Sequence, residues 1–348
     1  MSQSALLKER HIYKPFLYPW CFEAWQTQQR IHWLPEEVPM SEDVKDWRQK
    51  LTESERHLMT QIFRFFTQAD VEVNNCYMKH YSQVFGPVEV QMMLSAFSNI
   101  ETVHIAAYSH LLDTIGMPEV EYSAFLEYKE MKDKFDYMQD VSMNNPRDIA
   151  KTMAMFGAFT EGLALFASFA ILMNFPRFNK MKGMGQIVTW SVRDETLHCL
   201  SMIRLFNTFI QEHPEIWDDE LKEELYDCCK ITIKHEDAFI DLAFEQGPIE
   251  GMTAEDVKKY IRYIGDRRLQ QLNLEPIYNI EKNPLPWMDE MLNGAEHTNF
   301  FENRATEYSR GSTDGSWEEV FETDLFSGNY AKDKRRAEDE LGSEEQAA

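Results

Sequence analysis

Two short segments have the residue types and the spacing for metal chemistry. Glu101–Thr–Val–His104 and Glu195–Thr–Leu–His198 are the two Glu-x-x-His sequences of the chain. Residues three apart share one face of a helix, so each segment offers a carboxylate and an imidazole side by side. Two such helices facing each other bring two nitrogens and two carboxylates to one point. Hard carboxylate oxygens with a few imidazoles suit iron or manganese better than a thiolate-seeking metal. A single motif is weak. In an acidic chain with ten histidines, roughly one arises by chance, and its bland form is a solvated i,i+3 pair. Two of them, each inside a long helix of apolar periodicity, require further ligands.

Those ligands stand on two other helical stretches. From Thr152 to Pro176 the one charged residue is Glu161, among Phe156, Phe159, Leu163, Leu165, Phe166 and Phe169. A lone carboxylate in that setting costs several kcal/mol unless it is neutralised, hydrogen-bonded or metal-bound. Asp70 follows Phe66 by four residues and falls on the apolar face drawn by Leu58, Ile62, Phe65, Phe66 and Ala69. Glu72, two residues on, points about 200° away, which predicts a solvated or helix-contact role. Asp70, Glu101, His104, Glu161, Glu195 and His198 then make one carboxylate from each of two helices and Glu-x-x-His from each of two more. That is the pattern of a ferritin-like bundle with a dimetal carboxylate site. Four carboxylates and two imidazoles can hold two ions and offset their charge.

The elements that must position these residues are legible in outline. Thr52-x-x-Glu55 is a capping box that opens a helix running to about Val84, where Gly86–Pro87 stop it. A second helix runs from about Pro87 to Ile115 and ends at Gly116–Met117–Pro118. A more polar helix is expected over about Glu119–Met138. Pro146 suits the first turn of the next, which is expected to end before Pro176. Gly183 to His213 is the fifth long helix, and further helical patterns cover about Asp218–Glu245, Thr253–Gln271 and, briefly, Trp287–Leu292. No β-alternation is sustained, so the fold class is all-α: a ferritin-like helical bundle with extra helices. Residues 1–50, rich in Pro and Trp, read as an irregular arm over the bundle, with room for short helical turns. Residues 51–294 make the helical domain, and 295–348 a mobile polar C-terminal tail.

Composition excludes several function classes. A net charge of −24 argues against binding a phosphate backbone or an anionic membrane, so neither nucleic acid nor membrane is expected as a partner. The stretch around Glu161 is long enough to span a bilayer, but a central acid and amphipathic neighbours point to a buried helix instead. The N-terminus (MSQSALLKER) shows no apolar signal segment. Five cysteines, an odd number without metal-type spacing, suggest a reducing cytoplasm.

With these residues placed, the chain to about Trp317 resembles the small (R2, radical-generating beta) subunit of class I ribonucleotide reductase. The likeness rests on the Asp70/Glu101/His104 spacing, on Tyr108 one turn after His104, on the Glu161 helix, and on Arg193–Asp194–Glu195–Thr196–Leu197–His198. It implies that Asp70, Glu101 and His104 bind one metal and Glu161, Glu195 and His198 the second. It implies a tyrosyl radical on Tyr108, in an apolar pocket to which Leu165 and Phe169 correspond. The family more often has Phe where Leu165 stands. Trp33, before Leu34–Pro35–Glu36–Glu37–Val38, resembles the Trp that begins the family's radical-transfer chain, with Asp194 tying it to His104. Its bland alternative is a core aromatic. Tyr308 resembles the tail tyrosine that passes the radical equivalent on, with Trp317 a nearby competitor.

The implied activity is reduction of ribonucleotides to deoxyribonucleotides by a separate large (alpha) subunit, docked through the C-terminal tail, with this chain as a homodimer. The segment Trp317–Glu–Glu–Val–Phe–Glu–Thr–Asp–Leu–Phe326 has the acidic–aromatic character of a docking end. About twenty residues follow it, including a mixed-charge stretch at Lys332–Arg336, which departs from the family pattern. The cofactor is dinuclear iron, dimanganese or manganese–iron, since all three use nearly the same ligands. Two rivals stand beside this reading. A ferritin-type iron protein predicts metal without a radical. An R2-like oxidase that modifies itself or binds a long-chain ligand predicts dimetal chemistry without a radical relay.

Overall fold

The computed structural model describes residues 4–291. Among them there is no β-strand, only an isolated bridge between Ile249 and Met252. The main helices are α1 (Pro19–Arg30), α2 (Glu53–Cys76), α3 (Val88–Ile115), α4 (Lys129–Met138), α5 (Pro146–Arg177), α6 (Lys182–Glu212), α7 (Asp219–Ala243) and α8 (Ala254–Gln271). The core of the bundle is α2 against α3, and α5 against α6. These four helices carry all six expected metal ligands.

Local chemistry accounts for most of the boundaries. Thr52 and Glu55 cap α2 reciprocally: Thr52 Oγ1 accepts from Glu55 N at 3.2 Å, and Glu55 Oε2 accepts from Thr52 N at 2.9 Å. Gly116 ends α3 at φ +81°, and both its N–H and that of Met117 return to the Leu112 carbonyl. Asn145 and Asp218 cap α5 and α7. Where the expectation of one polar helix over 119–138 fails, no apolar stripe supports it. Val120 and Leu126 are exposed, and the chain makes two short 3₁₀ turns before α4. Pro176 stands inside the last turn of α5 rather than beyond it, a shift of a residue or two of the kind expected at helix ends.

Three departures matter for the site. Residues 1–50 are not simply an irregular arm, because α1 packs along α3 and reaches α6. The helix from Glu53 widens into a π-helical turn at Tyr77–Tyr81, and α5 does so over Ala154–Ala164, around Glu161. The third is how α6 begins. Met181 precedes it at φ +50° and offers no capping side chain. The cap comes from Asp43, whose carboxylate accepts from Gly183 N at 2.9 Å and Met184 N at 2.8 Å. A Cβ at position 183 would lie 2.8 Å from that carboxylate, so glycine permits the approach. Asp43→Ala is expected to cost about 1–2 kcal/mol, read as a lower melting temperature of the metal-free protein with its helical circular dichroism retained.

The apolar stretch of α5 is long and hydrophobic enough to cross a membrane, but 94% of its most apolar window is buried inside the protein. All five cysteines are free and buried, as small apolar residues are.

Candidate metal centre

The helices α2, α3, α5 and α6 aim their acidic and imidazole side chains at one buried point. Asp70 comes from α2, Glu101 and His104 from α3, Glu161 from α5, and Glu195 and His198 from α6. All six are nearly or fully buried. Their ligating atoms form two groups, each within 4.8 Å: Asp70, Glu101, His104 and Glu195 in one, and Glu161, Glu195 and His198 in the other. Glu195 belongs to both. His104 Nδ1 lies 3.2 Å from Glu195 Oε1 and 3.5 Å from Glu101 Oε2, while His198 Nδ1 lies 3.0 Å from Glu101 Oε1. Glu72 stands apart, accepting from Gln68, Gln139 and Asn75.

The donor set fits a pair of metal ions by a specific test. Asp70 Oδ2, Glu161 Oε1, both oxygens of Glu101 and of Glu195, and His198 Nδ1 are buried and make no hydrogen bond. Buried polar atoms are nearly always satisfied, and here the unsatisfied ones converge on one another. Their protonation behaviour shows the same unbalanced charge. Burial, then the neighbouring Glu101, pushes Asp70 well above the usual carboxylate range. Burial, then the Glu195 and Glu101 charges, does the same to Glu161. Glu195 is pushed up to about 7 by burial and Glu101. Burial alone would lower the His104 imidazole, but the Asp194, Glu101 and Glu195 carboxylates hold it well above its usual value. Two dications would replace those protons and balance the four carboxylates.

A second layer fixes the imidazoles. Asp194 Oδ2 accepts from Trp33 Nε1 at 2.8 Å and from His104 Nε2 at 3.2 Å. Asp194 Oδ1 accepts from Gln28 Nε2 at 3.3 Å, and Gln28 Oε1 accepts from His198 Nε2 at 3.1 Å. The carboxylate accepts on both oxygens, so the Gln28 amide nitrogen faces it and the amide oxygen faces His198. Both histidines therefore carry a proton on Nε2 and turn Nδ1 toward the carboxylates. Arg193 reaches Ile31 O at 2.7 Å, holding the end of α1 beside Trp33.

Tyr108 is buried one turn beyond His104, and its hydroxyl donates to Ser191 Oγ at 3.0 Å. Ser191 in turn donates to Ile187 O at 3.1 Å. Phe66 packs edge-on against Tyr108 with ring centroids 4.7 Å apart, and against Phe169 at 5.3 Å. Leu165 is buried and lines a cavity with Phe65, Phe66 and Ala69. Burial, then the Asp70 charge, keeps the Tyr108 phenol protonated far above neutral pH.

The structure thus brings Asp70, Glu101, His104, Tyr108, Glu161, Asp194, Glu195, His198 and Trp33 into one connected cluster. Tyr308 and the expected docking segment lie outside the described residues. Sequence reasoning missed Gln28, Ser191 and Tyr77, whose hydroxyl donates to Glu161 Oε2 at 2.9 Å. No spacing rule marks them, because each contact crosses between elements.

Residues 10–284 match the family model for the ribonucleotide reductase small chain. The chain is 43% identical over 355 residues to a probable ribonucleoside-diphosphate reductase small subunit of Invertebrate iridescent virus 6, covering 91% of this chain and 99% of the viral protein. Among solved structures, the R2 subunit of ribonucleotide reductase from Clostridium botulinum shares the fold with a TM-score of 0.72 at 23% identity, over 79% of this chain and 88% of that one. A dimanganese(II) NrdF from Streptococcus sanguinis gives a TM-score of 0.69 at 20% identity, over 78% and 94%.

Proposed function

The chain belongs to the ribonucleotide reductase small-chain family, and on that premise we propose that it generates and exports a tyrosyl radical. Asp70, Glu101, His104, Glu161, Glu195 and His198 would hold two metal ions, which with O₂ would supply the one-electron oxidising power. Glu195, which belongs to both groups of side chains, would contribute to holding the pair. Tyr108 would give up an electron and its phenolic proton to that O₂-oxidised site and become the stored radical. Phe66, Phe169 and Leu165 close its surroundings to water and to reductants.

The radical equivalent then passes out through His104, Asp194 and Trp33, and onward by Tyr308 to a separate large subunit that reduces ribonucleotides. The chain acts as a homodimer in the cytoplasm and docks that subunit with its C-terminal tail. The observation that carries this reading is the continuous hydrogen-bonded line from the metal-facing His104 through Asp194 to Trp33. A metal store has no need of an indole tied to its ligand.

The metals are iron or manganese, since hard oxygen donors with two imidazoles suit either, and a protein of the same fold is described as dimanganese(II). The test loads the metal-free protein anaerobically with Fe(II), admits O₂ and records the electron paramagnetic resonance spectrum, with a parallel Mn(II) loading. Two ions per chain and a narrow organic-radical signal are expected. Fewer than two ions in both loadings would overturn the dimetal assignment. Two ions with no radical under either metal would leave two readings, a manganese site that needs an external oxidant or a radical-free oxidase.

A further inference from the structure

Tyr77 is a buried phenol that the proposed radical chemistry does not use, and its position is unusual. It lies seven residues after Asp70, two turns along the same helical run, at the point where the helix widens into its π turn. Its partner Glu161 lies inside the other π-helical stretch, that of α5. Wide turns of this kind recur at functional sites because they shift side chains out of the regular register. Here two of them bring a phenol and a carboxylate together. The Tyr77 ring also stands edge-on to the His198 ring, with centroids 6.2 Å apart, and to Phe97 at 6.1 Å. Tyr81, one turn on in the same π turn, sends its hydroxyl to the Thr152 carbonyl instead. Of the two, Tyr77 alone addresses a ligand.

The two oxygens of Glu161 are not equivalent. Oε2 accepts the Tyr77 hydroxyl at 2.9 Å and lies 3.9 Å from His198 Nδ1, whereas Oε1 is buried and makes no hydrogen bond. We propose that Tyr77 is a positioning residue that reserves Glu161 Oε2, so that Glu161 presents a single oxygen, Oε1, to the metal held with Glu195 and His198. The run from Glu53 to Tyr81 thereby serves both metal positions, through the Asp70 carboxylate at one and through the Tyr77 phenol at the other. A carboxylate that offers one oxygen instead of two would occupy one fewer coordination position on an ion held there. The fixed hydroxyl also sets the plane of the Glu161 carboxyl, which the surrounding Phe side chains cannot do by packing alone.

This inference rests on the dimetal reading, and the test separates the two. Co(II), whose visible d–d bands report coordination number, is titrated into metal-free wild type and Tyr77→Phe. Wild type should take up two equivalents. In the variant, one equivalent should weaken by about tenfold, the usual size of such an effect, with altered d–d bands. The other should bind as in wild type, and the melting temperature of the metal-free protein should be close to unchanged. If both equivalents bind with wild-type affinity and spectrum, or both weaken together, the role of Tyr77 is overturned while the dimetal reading survives. If wild type binds no Co(II), both fall. Should the variant fail to fold, a crystal structure of Co(II)-loaded wild type decides. Glu161 with Oε1 on the metal and Oε2 on Tyr77 supports the proposal, and both oxygens on the metal overturn it.

Discussion

Tyr108→Phe is expected to abolish the organic-radical signal and to lower ribonucleotide reduction, assayed with the large subunit, to background. Metal uptake should stay at two ions per chain. The substitution removes one oxygen atom from a side chain that is otherwise packed on all sides. The hydroxyl makes one hydrogen bond, to Ser191, and its loss costs on the order of 1 kcal/mol. Ser191 keeps its own acceptor at Ile187 O, so no buried donor is orphaned. The phenol touches none of the six ligands by hydrogen bond, so the metal site should load unchanged. The loss of function would then be chemical, because a phenyl ring has no O–H from which a hydrogen atom can be taken. Melting curves and metal analysis of the variant establish that it is folded and loaded. A full-size radical in the variant would move the radical to another residue. The buried Tyr77, hydrogen-bonded to Glu161, would be the first to test.

The proposed metal ligands are legible in the sequence because their signals are local. Glu-x-x-His needs one helix and a spacing of three, and Glu161 betrays itself as a single charge in an apolar run. Asp70 was separable from Glu72 by the angle between residues two apart, and the structure buries Glu72 away from the six, among the amides of Gln68, Asn75 and Gln139. What could not be read are contacts that depend on how elements meet. Gln28 lies on α1, in a stretch whose prolines and tryptophans concealed a twelve-residue helix, and its role exists only because α1 lies across α3 and α6. Tyr77 is shifted by a π turn that no periodicity predicts. Phe66 was visible as an apolar position on α2. That it packs between Tyr108 and Phe169 follows from helix packing, which sequence periodicity does not encode. Asp43 capping α6 from about 140 residues away is the same lesson for the fold. Met181, the residue before that helix, supplies no cap of its own.

Trp33→Phe is expected to separate the two halves of the proposed function. The radical on Tyr108 should still form and be seen, while ribonucleotide reduction with the large subunit falls to background. Trp33 is buried, and its indole N–H donates to Asp194 Oδ2 at 2.8 Å, the same oxygen that takes the His104 proton at 3.2 Å. Phe fills most of the space but has no N–H and is far harder to oxidise than an indole. Asp194 keeps His104, Gln28 and Arg193 as partners, so its charge stays compensated. The stability cost should lie near 1–3 kcal/mol, the range for a lost hydrogen bond to a charged group. The variant should therefore fold and take up metal. The control is Trp190, whose ring lies 5.1 Å from that of Trp33 and which is an equally buried aromatic. No hydrogen bond ties it to Asp194, so Trp190→Phe should leave turnover largely intact. If Trp33→Phe keeps most of its turnover, Trp33 is a core aromatic and the exit runs elsewhere. If both variants lose radical and turnover together, the pair serves the packing of α1 against the bundle. The predicted contrast, a radical that persists but does no work in one variant and an active enzyme in the other, is one that packing alone does not produce.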